Sequence, residues 1–529
     1  MRRINILFVL LLTVSTARAY DIKINGIYYD VVPKAKIAKV VIGDDHYRGE
    51  VTIPETIVYE GVTCSVTSMA NAVFKDCDVT KVWLPDGITE ISYTAFESCL
   101  NLVFVRLPAN LERISTRAFD HCESLQVIEF PSSLKEIEYR AFWNCLKIPS
   151  IMLPDGLETL GDGAFFNCSG VTSVHLPRSL SVIPKDAFYN CKFDAVDIHD
   201  GIREIKNGAF CSTGLKSIVI PETVREIGSE VFRGCVDLVS VQLSNNMTEL
   251  PTGMFRGCKN LKTIHIPEGI ITIGEYAFAE TGFDNIDMIP KGVEYLNYAF
   301  MNCPNMTTIR IPEGTEFISH GEFMGCENLR TIILPASVKE ILGQAFANCT
   351  SLQEISFEHI TSIGHEAFLH CNSFTSLELP LVEELDIGAF KGCSNLKTVV
   401  LGRNMKKFIG YSVFEQCKSL EDFYCYAEAL PEIPEGDKYT IFRDSYVNYA
   451  TLHVPASAIE AYRSTYPWSE FGTIVAIEST GISEALPQDK VQRSKFKVQR
   501  ESRYTLNGIR VVKPRKGVYI QNGKRYVVK

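Results

Sequence analysis

The chain has 529 residues, of which 46% are apolar and 22% are charged, a composition that supports a large buried core and excludes a wholly disordered chain. Its net charge of −10 is uneven: residues 487–529 carry 13 Lys and Arg against two acidic residues, whereas residues 20–486 sum to −24. A basic tail can indicate nucleic-acid binding, but the sequence contains no nucleic-acid recognition motif, and we expect no such partner.

Residues 1–19 have the features of a secretory signal peptide. The segment has a basic start, an apolar run from Ile4 to Val14, and small residues at Ala17 and Ala19, where a signal peptidase would cut. A membrane anchor would require about 20 continuous apolar residues, and this run is near half that length. We therefore expect cleavage near Ala19, export, and no transmembrane span.

A repeat of 22 to 24 residues fills most of the chain. Each of sixteen units has a marker Phe; Ala precedes it in eleven units and Cys follows it by three residues in fourteen, the exceptions being the units of Phe210 and Phe278. Upstream lies a second signature, L-x-x-I-x-L-P-x-x-L-x-x-I, as in "LVFVRLPANLERI" at 102–114. The marker residues are Phe74, Phe96, Phe119, Phe142, Phe165, Phe188, Phe210, Phe232, Phe255, Phe278, Phe300, Phe323, Phe346, Phe368, Phe390 and Phe414.

The repeat predicts a solenoid. The alternating end of L-x-x-I-x-L favours a short strand with one face inward, and the Pro that follows ends it because proline has no N–H to donate to a ladder. We expect each coil to contain one strand, a corner and a return path. A single unit cannot bury its own Leu, Ile and Phe, but stacked units align them in continuous columns. About 16 coils with strands spaced about 4.8 Å apart would form a body roughly 75 Å long.

Some units depart from the pattern. The segments at 196–202, 241–247, 355–360 and 399–405 lack the Pro, and the segment at 283–293 has one extra residue before it. We interpret these departures as local irregularities in a continuous stack.

The cysteines are predicted to lie inside the stack. Seventeen is an odd number, so at least one is unpaired within the chain, and fourteen share one repeat position. Such a file is better explained by Cys acting as a small hydrophobe beside Phe than by a disulfide framework. Whether neighbouring cysteines pair stays open at this point.

The unit resembles the leucine-rich repeats (type 5) of the BspA-like family of bacterial surface proteins, which run close to LxxIxLPxxLxxIxxxAFxxCxxL. The resemblance covers residues from about 50 to 425, and residues 25–32, 49–69 and 451–477 resemble the flanks of the family's repeats. It implies an α/β to mainly β, right-handed leucine-rich repeat stack with terminal caps and adhesion to host extracellular proteins, other cells or glycans.

The C-terminal cap is expected to contain a short helix. Residues 456–462 have helical composition, and Trp468 and Phe471 supply bulk to cover the open end of the stack. The predicted organisation is a signal peptide at 1–19, an N-terminal cap with leading strands at 20–72, the solenoid at 73–425, a C-terminal cap at 426–477, a linker at 478–495 and a basic β-hairpin tail at 496–529.

The tail carries hairpin signals. Asn507-Gly508 and Asn522-Gly523 each lie between strand-like runs. The segment resembles the C-terminal sorting domain of type IX secretion cargo in Gram-negative bacteria, which implies transport across the outer membrane and attachment to the cell surface. The alternative is a small β module without a sorting role. The matching residues are Leu506, Gly508, Val511, Gly517, Tyr519 and the closing "RYVVK".

No catalytic, metal or cofactor motif survives inspection. "HEAFLH" at 365–370 places its histidines five apart, whereas a zinc protease motif needs them at i and i+4, and the segment is another copy of A-F-x-x-C. The chain has no C-x-x-C pair and no phosphate-binding glycine loop. We expect a protein without enzymatic activity, metal or cofactor.

The outward positions of the predicted strands remain as the candidate site, in two columns along the concave face. The N-terminal coils are the most apolar and aromatic there, a composition typical of a contact hot spot. The alternative is that Trp83 and Phe104 lie under the N-terminal cap. The predicted function is a surface adhesin for a protein or glycan ligand, and the alternative function is an envelope scaffold or accessory glycan-capture protein. The candidate binding patch is Trp83, Phe104, Arg106, Met152 and His175.

Overall fold

A computed structural model describes residues 20–285, 293, 297–434, 436 and 440–477, and the backbone of four short strands after residue 502. The predicted signal peptide and linker lie outside the described residues, as do residues 286–292 of the irregular unit. The chain divides into two compact units, and the boundary follows Ala476.

The first unit is a mostly β solenoid of about 17 turns, which confirms the predicted fold class. The prediction of one strand per coil is wrong, because most coils contain two. The second strand has only two residues and ends in the Ile of L-x-x-I, too short to produce an alternating pattern. We call the two sets the first and second strand rows.

The first strand row contains β4 (Arg48–Thr52), β7 (Asp78–Trp83), β9 (Phe104–Arg106), β11 (Val127–Ile128), β13 (Ser150–Met152), β15 (Ser173–His175), β18 (Ser217–Val219), β20 (Ser240–Gln242), β23 (Thr308–Arg310), β25 (Thr331–Ile333), β28 (Ser376–Leu379), β30 (Thr398–Leu401), β32 (Asp422–Cys425), β33 (Thr451–Val454) and β34 (Thr473–Ala476).

The second strand row contains β8 (Glu90–Ile91), β10 (Arg113–Ile114), β12 (Glu136–Ile137), β14 (Thr159–Leu160), β16 (Val182–Ile183), β17 (Glu204–Ile205), β19 (Glu226–Ile227), β21 (Glu249–Leu250), β22 (Thr272–Ile273), β24 (Phe317–Ile318), β26 (Glu340–Ile341), β27 (Ser362–Ile363), β29 (Glu384–Leu385) and β31 (Lys407–Phe408). Neighbouring strands within each row pair in parallel wherever a ladder forms.

A separate N-terminal sheet precedes the coils, in the order β1-β2-β3-β6-β5. Strand β4 lies between β3 and β5 in sequence but is not part of this sheet. It pairs in parallel with β7 and so begins the first strand row. The strands of the sheet are β1 (Ile22–Ile24), β2 (Ile27–Val32), β3 (Ile37–Val41), β5 (Thr56–Tyr59) and β6 (Val62–Met69).

The A-F-x-x-C segments form turns, which we call the turn row. Their Phe rings stack in one file from Phe74 to Phe442, with centroids 5.0 to 6.0 Å apart and planes within 20°. Phe442 marks a coil that the repeat pattern missed. Ile441 and Ser445 stand where Ala and Cys would be, so the motif is not visible in the sequence.

Each turn from that of Phe74 to that of Phe414 places two residues in the left-handed region, at two positions before and two positions after the Phe. Around Phe96 these are Thr94, with φ 51°, and Ser98, with φ 60°. Glycine and asparagine adopt this conformation at the lowest cost. The recurrent Gly or Asn before Cys is therefore explained by the backbone of the turn.

All seventeen cysteines are free and buried, which confirms that they lie inside the stack. From Cys99 onward, the thiols of the column donate to the Phe carbonyl one coil back; the distance from Cys122 Sγ to the Phe96 oxygen, for example, is 3.1 Å. In the units without Cys, the hydroxyls of Thr213 and Thr281 donate to the Phe carbonyl of their own coil. Burial raises the pKa of Cys191 to about 12, so its thiol stays protonated and able to donate.

Proline interrupts the ladders at three places. Pro149 occupies the position whose N–H would join β13 to β11, and these strands belong to different sheets. Pro184 and Pro251 follow β16 and β21 at the position where other coils donate to the preceding coil, and the second row breaks before both strands. The coils remain stacked on either side of these breaks through the Phe file.

The C-terminal end is closed by aromatic side chains. The described residues contain one α-helix, α1 (Ile459–Ser464), displaced by two to three residues from the predicted segment. Trp468 is buried, with ring centroids 6.0 Å from Phe423 and 5.8 Å from Phe442. The described part of the chain contains no helix with the length and hydropathy of a membrane span.

The second unit contains β35 (Arg503–Thr505), β36 (Arg510–Val511), β37 (Gly517–Gln521) and β38 (Lys524–Val528). They form one antiparallel sheet in the order β36-β35-β37-β38. Gln521 is paired with Lys524, so Asn522-Gly523 is the sequence between the two paired strands.

Candidate binding surface

The predicted patch lies on the first strand row. Its members come from the outward positions of neighbouring coils, because side chains alternate between the two faces of a strand. Trp83 is in register with Thr52 of β4 and with Arg106 of β9. Farther along, Met152 of β13 is in register with His175 of β15.

Trp83 and Phe104 form one aromatic pair. Their ring centroids lie 5.4 Å apart with the planes at 51°, and both side chains are half-buried. On the N-terminal side of Trp83, strand β4 lies next to β7 in the same sheet and does not cover the two rings completely. Both rings therefore keep part of their surface in solvent.

Arg106 is held in place beside this pair. One guanidinium nitrogen lies 2.9 Å from Asp86 Oδ1, and the other donates to the Leu84 carbonyl at 2.6 Å. The N–H of Ala109 and the charge of Arg106 together hold the pKa of Asp86 below its usual value. A fixed, exposed guanidinium next to two aromatic rings suits the recognition of a protein surface.

Met152 and His175 form a second group. The Met152 side chain is 58% exposed, and His175 Nε2 lies 4.0 Å from Asp155 Oδ1. One coil, which carries Glu129 at the corresponding position, separates this group from Arg106. The structure thus brings the five predicted residues together as an aromatic and basic group and a second, neighbouring group on the same row.

The sequence did not predict a cleft that begins at the next coil. Its volume is about 610 Å³, and it lies where residues 195–198 form no strand between β15 and β18. A smaller cleft of about 330 Å³ accompanies the Pro251 break in the second strand row. The large cleft is lined by Val174, Arg178, Ala195, Val196, Asp197, Ile198, His199, Asp200, Ser217, Ile218, Val219 and Pro221.

Two side chains fix the chain at this cleft. Phe193 is fully buried, with its ring 6.0 Å from Phe188 and 6.3 Å from Phe210. His199 replaces the repeat's Pro; its Nε2 lies 2.9 Å from the Pro177 carbonyl, and its Nδ1 accepts the N–H of Gly201 at 3.0 Å. The missing Pro at 199 was visible in the sequence, but the loss of the strand was not.

The row's C-terminal end carries an Asp–His pair. His453 Nε2 lies 2.7 Å from Asp422 Oδ1, and its ring stacks on Tyr424 at 4.0 Å. In the residues that the structure describes, no Ser, Thr or Cys side chain is hydrogen-bonded to His453, and no group of three His, Cys, Asp or Glu could hold a metal ion.

Comparison with known proteins identifies the repeat. A family model described as "BspA type Leucine rich repeat region" matches residues 67–193, 181–297 and 293–421, in six copies. No curated protein matches the chain.

Two solved leucine-rich repeat proteins are similar to this chain. One from Bacteroides ovatus is 25% identical, with a TM-score of 0.50 over 87% of this chain and 100% of that one. A leucine rich cell surface protein from Faecalibacterium prausnitzii is 22% identical, with a TM-score of 0.36 over 80% of this chain and 98% of that one.

Proposed function

The chain belongs to the BspA-type leucine-rich repeat family, and from that premise we propose that it is a non-enzymatic surface adhesin that binds a protein through the first strand row. The observation that carries the proposal is the group formed by the half-buried Trp83 and Phe104 and the exposed Arg106, with Met152 farther along the same row. Tryptophan, other aromatic residues and arginine contribute most of the binding free energy at protein interfaces.

We also propose that the protein is exported and held at the cell surface. Residues 1–19 support export because of their basic, apolar and small-residue pattern. The tail supports outer-membrane sorting because Leu506, Gly508 and the closing "RYVVK" match the sorting-domain pattern. Deletion of residues 496–529 should release the protein from the surface in a cell-fractionation assay, and surface retention of the truncated chain would refute the sorting role.

Binding can be tested with the mature chain against purified extracellular matrix proteins, mucin and polysaccharides. A retained protein supports the adhesin, retained polysaccharide alone supports the accessory glycan-capture alternative, and retention of nothing refutes both.

The patch can be tested with a double variant, Trp83→Ala with Arg106→Ala. We expect it to lose most of the retained ligand, because both side chains are exposed enough to contact a partner. The control is Arg310→Ala with Ile333→Ala, which changes exposed residues farther along the same row. Equal binding by both double variants would refute the patch.

A further inference from the structure

We propose that the cleft between β15 and β18 binds an extended segment of the partner protein, which adds as a strand and inserts an apolar side chain. The inference rests on the proposed function and specifies one site and one kind of partner for it. The partner segment is expected to carry basic residues beside the inserted side chain.

The sheet of the first strand row is interrupted at the cleft. Strand β15 pairs with β13, and β18 pairs with β20, each on the side away from the cleft. In the described part of the chain, no backbone hydrogen bond joins residues 195–198 to either strand. Backbone N–H and C=O groups at this place are therefore available to a partner that brings its own peptide groups.

The interruption is built into the coil. Phe193 follows Cys191 by two residues, whereas Val171 of the preceding coil follows Cys168 by three. Leu215 of the next coil also follows its Cys position, Thr213, by two residues, and strand β18 still forms there, so the larger buried ring of Phe193 distinguishes the coil without a strand. His199 then anchors the chain, since both of its ring nitrogens are engaged by backbone groups.

This break differs from the first-row break at Pro149. There β11 and β13 both remain as strands on either side, whereas residues 195–198 form no strand at all. Loss of a whole strand leaves two neighbouring strand edges without a partner, and such edges are templates for pairing with another chain.

The size and lining of the cleft favour an apolar side chain. The cleft is open to solvent, its lining is about equally polar and apolar, and its volume of about 610 Å³ leaves room for a side chain. Val174, Val196 and Ile218 contribute apolar lining, and Val219 on β18 is 54% exposed. An extended segment can place alternate side chains into such a cleft while its backbone pairs with a strand.

The charges around the cleft favour basic flanks. Asp197 and Asp200 are exposed, and the Asp155 side chain on the preceding side is 94% exposed. Arg178 is the exposed basic residue in the lining, so the carboxylates outnumber it. The strongly acidic body of the chain adds long-range attraction for a basic partner.

A library of random linear peptides displayed on phage provides the probe. The full mature chain is panned against it, and the enriched peptides are synthesised and titrated by fluorescence polarisation. We expect peptides with alternating apolar residues flanked by Lys or Arg. Methylation of backbone nitrogens at alternate positions should weaken binding more than about tenfold in one register only, because one edge of an added strand faces the sheet.

The variant Val219→Arg should weaken peptide binding more than about tenfold by filling the cleft with a repelling charge. Its matched control is Ile333→Arg, at the same position of another first-row strand, which should keep the wild-type affinity. Both residues are partly exposed, so both variants should fold.

The outcomes separate this inference from the proposed function. Peptides that bind Val219→Arg as tightly as wild type, or that tolerate methylation at every position, would overturn the cleft proposal, as would a library with no enriched peptide. If Trp83→Ala with Arg106→Ala still abolishes ligand retention in that case, the strand-row function stands without the cleft. If neither variant changes any binding, both proposals fail.

Discussion

The turn row and the first strand row of the same coils differ in how much their side chains vary from one coil to the next. In the turn row, seventeen Phe rings form one file, and the Cys position keeps a donor even where Thr replaces it. In the first strand row, the ladders are broken and outward positions change from Trp83 to Met152 to Val219. We infer that the turn row carries the stability of the stack, so the strand row can vary its surface coil by coil.

The largest expected effect comes from a truncation in the turn row. Phe142 is fully buried and stacked 5.1 Å from both Phe119 and Phe165. Phe142→Ala should lower the free energy of unfolding by about 3–5 kcal/mol. Phe104→Ala, at a half-buried position of the strand row, should lower it by about 1 kcal/mol or less. Chemical denaturation followed by circular dichroism measures both. Equal losses would contradict the division between the rows.

The next effect concerns a departure from the repeat motif within the turn row. Glu322 takes the buried Ala position, and burial raises its pKa to about 8, against a lowering effect of the Ser319 N–H. The folded state therefore keeps a proton that the unfolded state releases above its normal pKa, so stability falls as the pH rises from the unfolded pKa of 4.5 toward 8.

Glu322→Gln removes this titration. The free energy of unfolding of the variant should exceed that of wild type by about 2–4 kcal/mol near pH 9 and by much less near pH 5. The reason is that only the wild type, with its ionisable Glu322, loses stability between these pH values. Denaturant unfolding at the two pH values measures the difference. The control is Glu327→Gln, an exposed residue of the same coil, which should show no such pH dependence. A Glu322→Gln gain that is independent of pH would contradict the assignment.

A smaller effect is expected in the Cys column. The Cys145 thiol donates to the Phe119 carbonyl at 3.2 Å. Cys145→Ala should lower the free energy of unfolding by about 1–2 kcal/mol. Cys145→Thr should lower it less, because a hydroxyl at this position can still donate to a Phe carbonyl, as Thr213 and Thr281 do within their own coils. Thermal unfolding of the two variants gives the comparison. A greater loss for Thr than for Ala would show that volume, not donation, decides the position.

Much of the fold could be predicted from sequence because the turn row repeats its chemistry. The Phe spacing gave sixteen coils, and only Phe442 escaped, since its coil has Ile441 and Ser445 in place of Ala and Cys. The second strand row was missed because two residues leave no periodic pattern. The breaks at Pro184 and Pro251 depend on a missing N–H whose partner is one coil away, which a motif within one unit does not reveal.

The candidate surface was predictable only in part. Alternation along a strand placed Trp83, Arg106 and Met152 on outward positions of one row. The cleft depends on Phe193, which reads in sequence as an ordinary apolar residue of the repeat. Its consequence, loss of a strand between β15 and β18, arises from packing against the Phe file of two coils.

Site-specific photo-crosslinking can show which side of the coils contacts a bound protein. A benzophenone amino acid is introduced at Met152 of the first strand row or at Tyr139, which is 44% exposed ahead of the Phe142 turn, and each chain is irradiated with a protein that the mature wild type retains. We expect a crosslinked product from position 152 and none from position 139. Crosslinking from position 139 alone would place recognition on the turn side and refute binding through the first strand row.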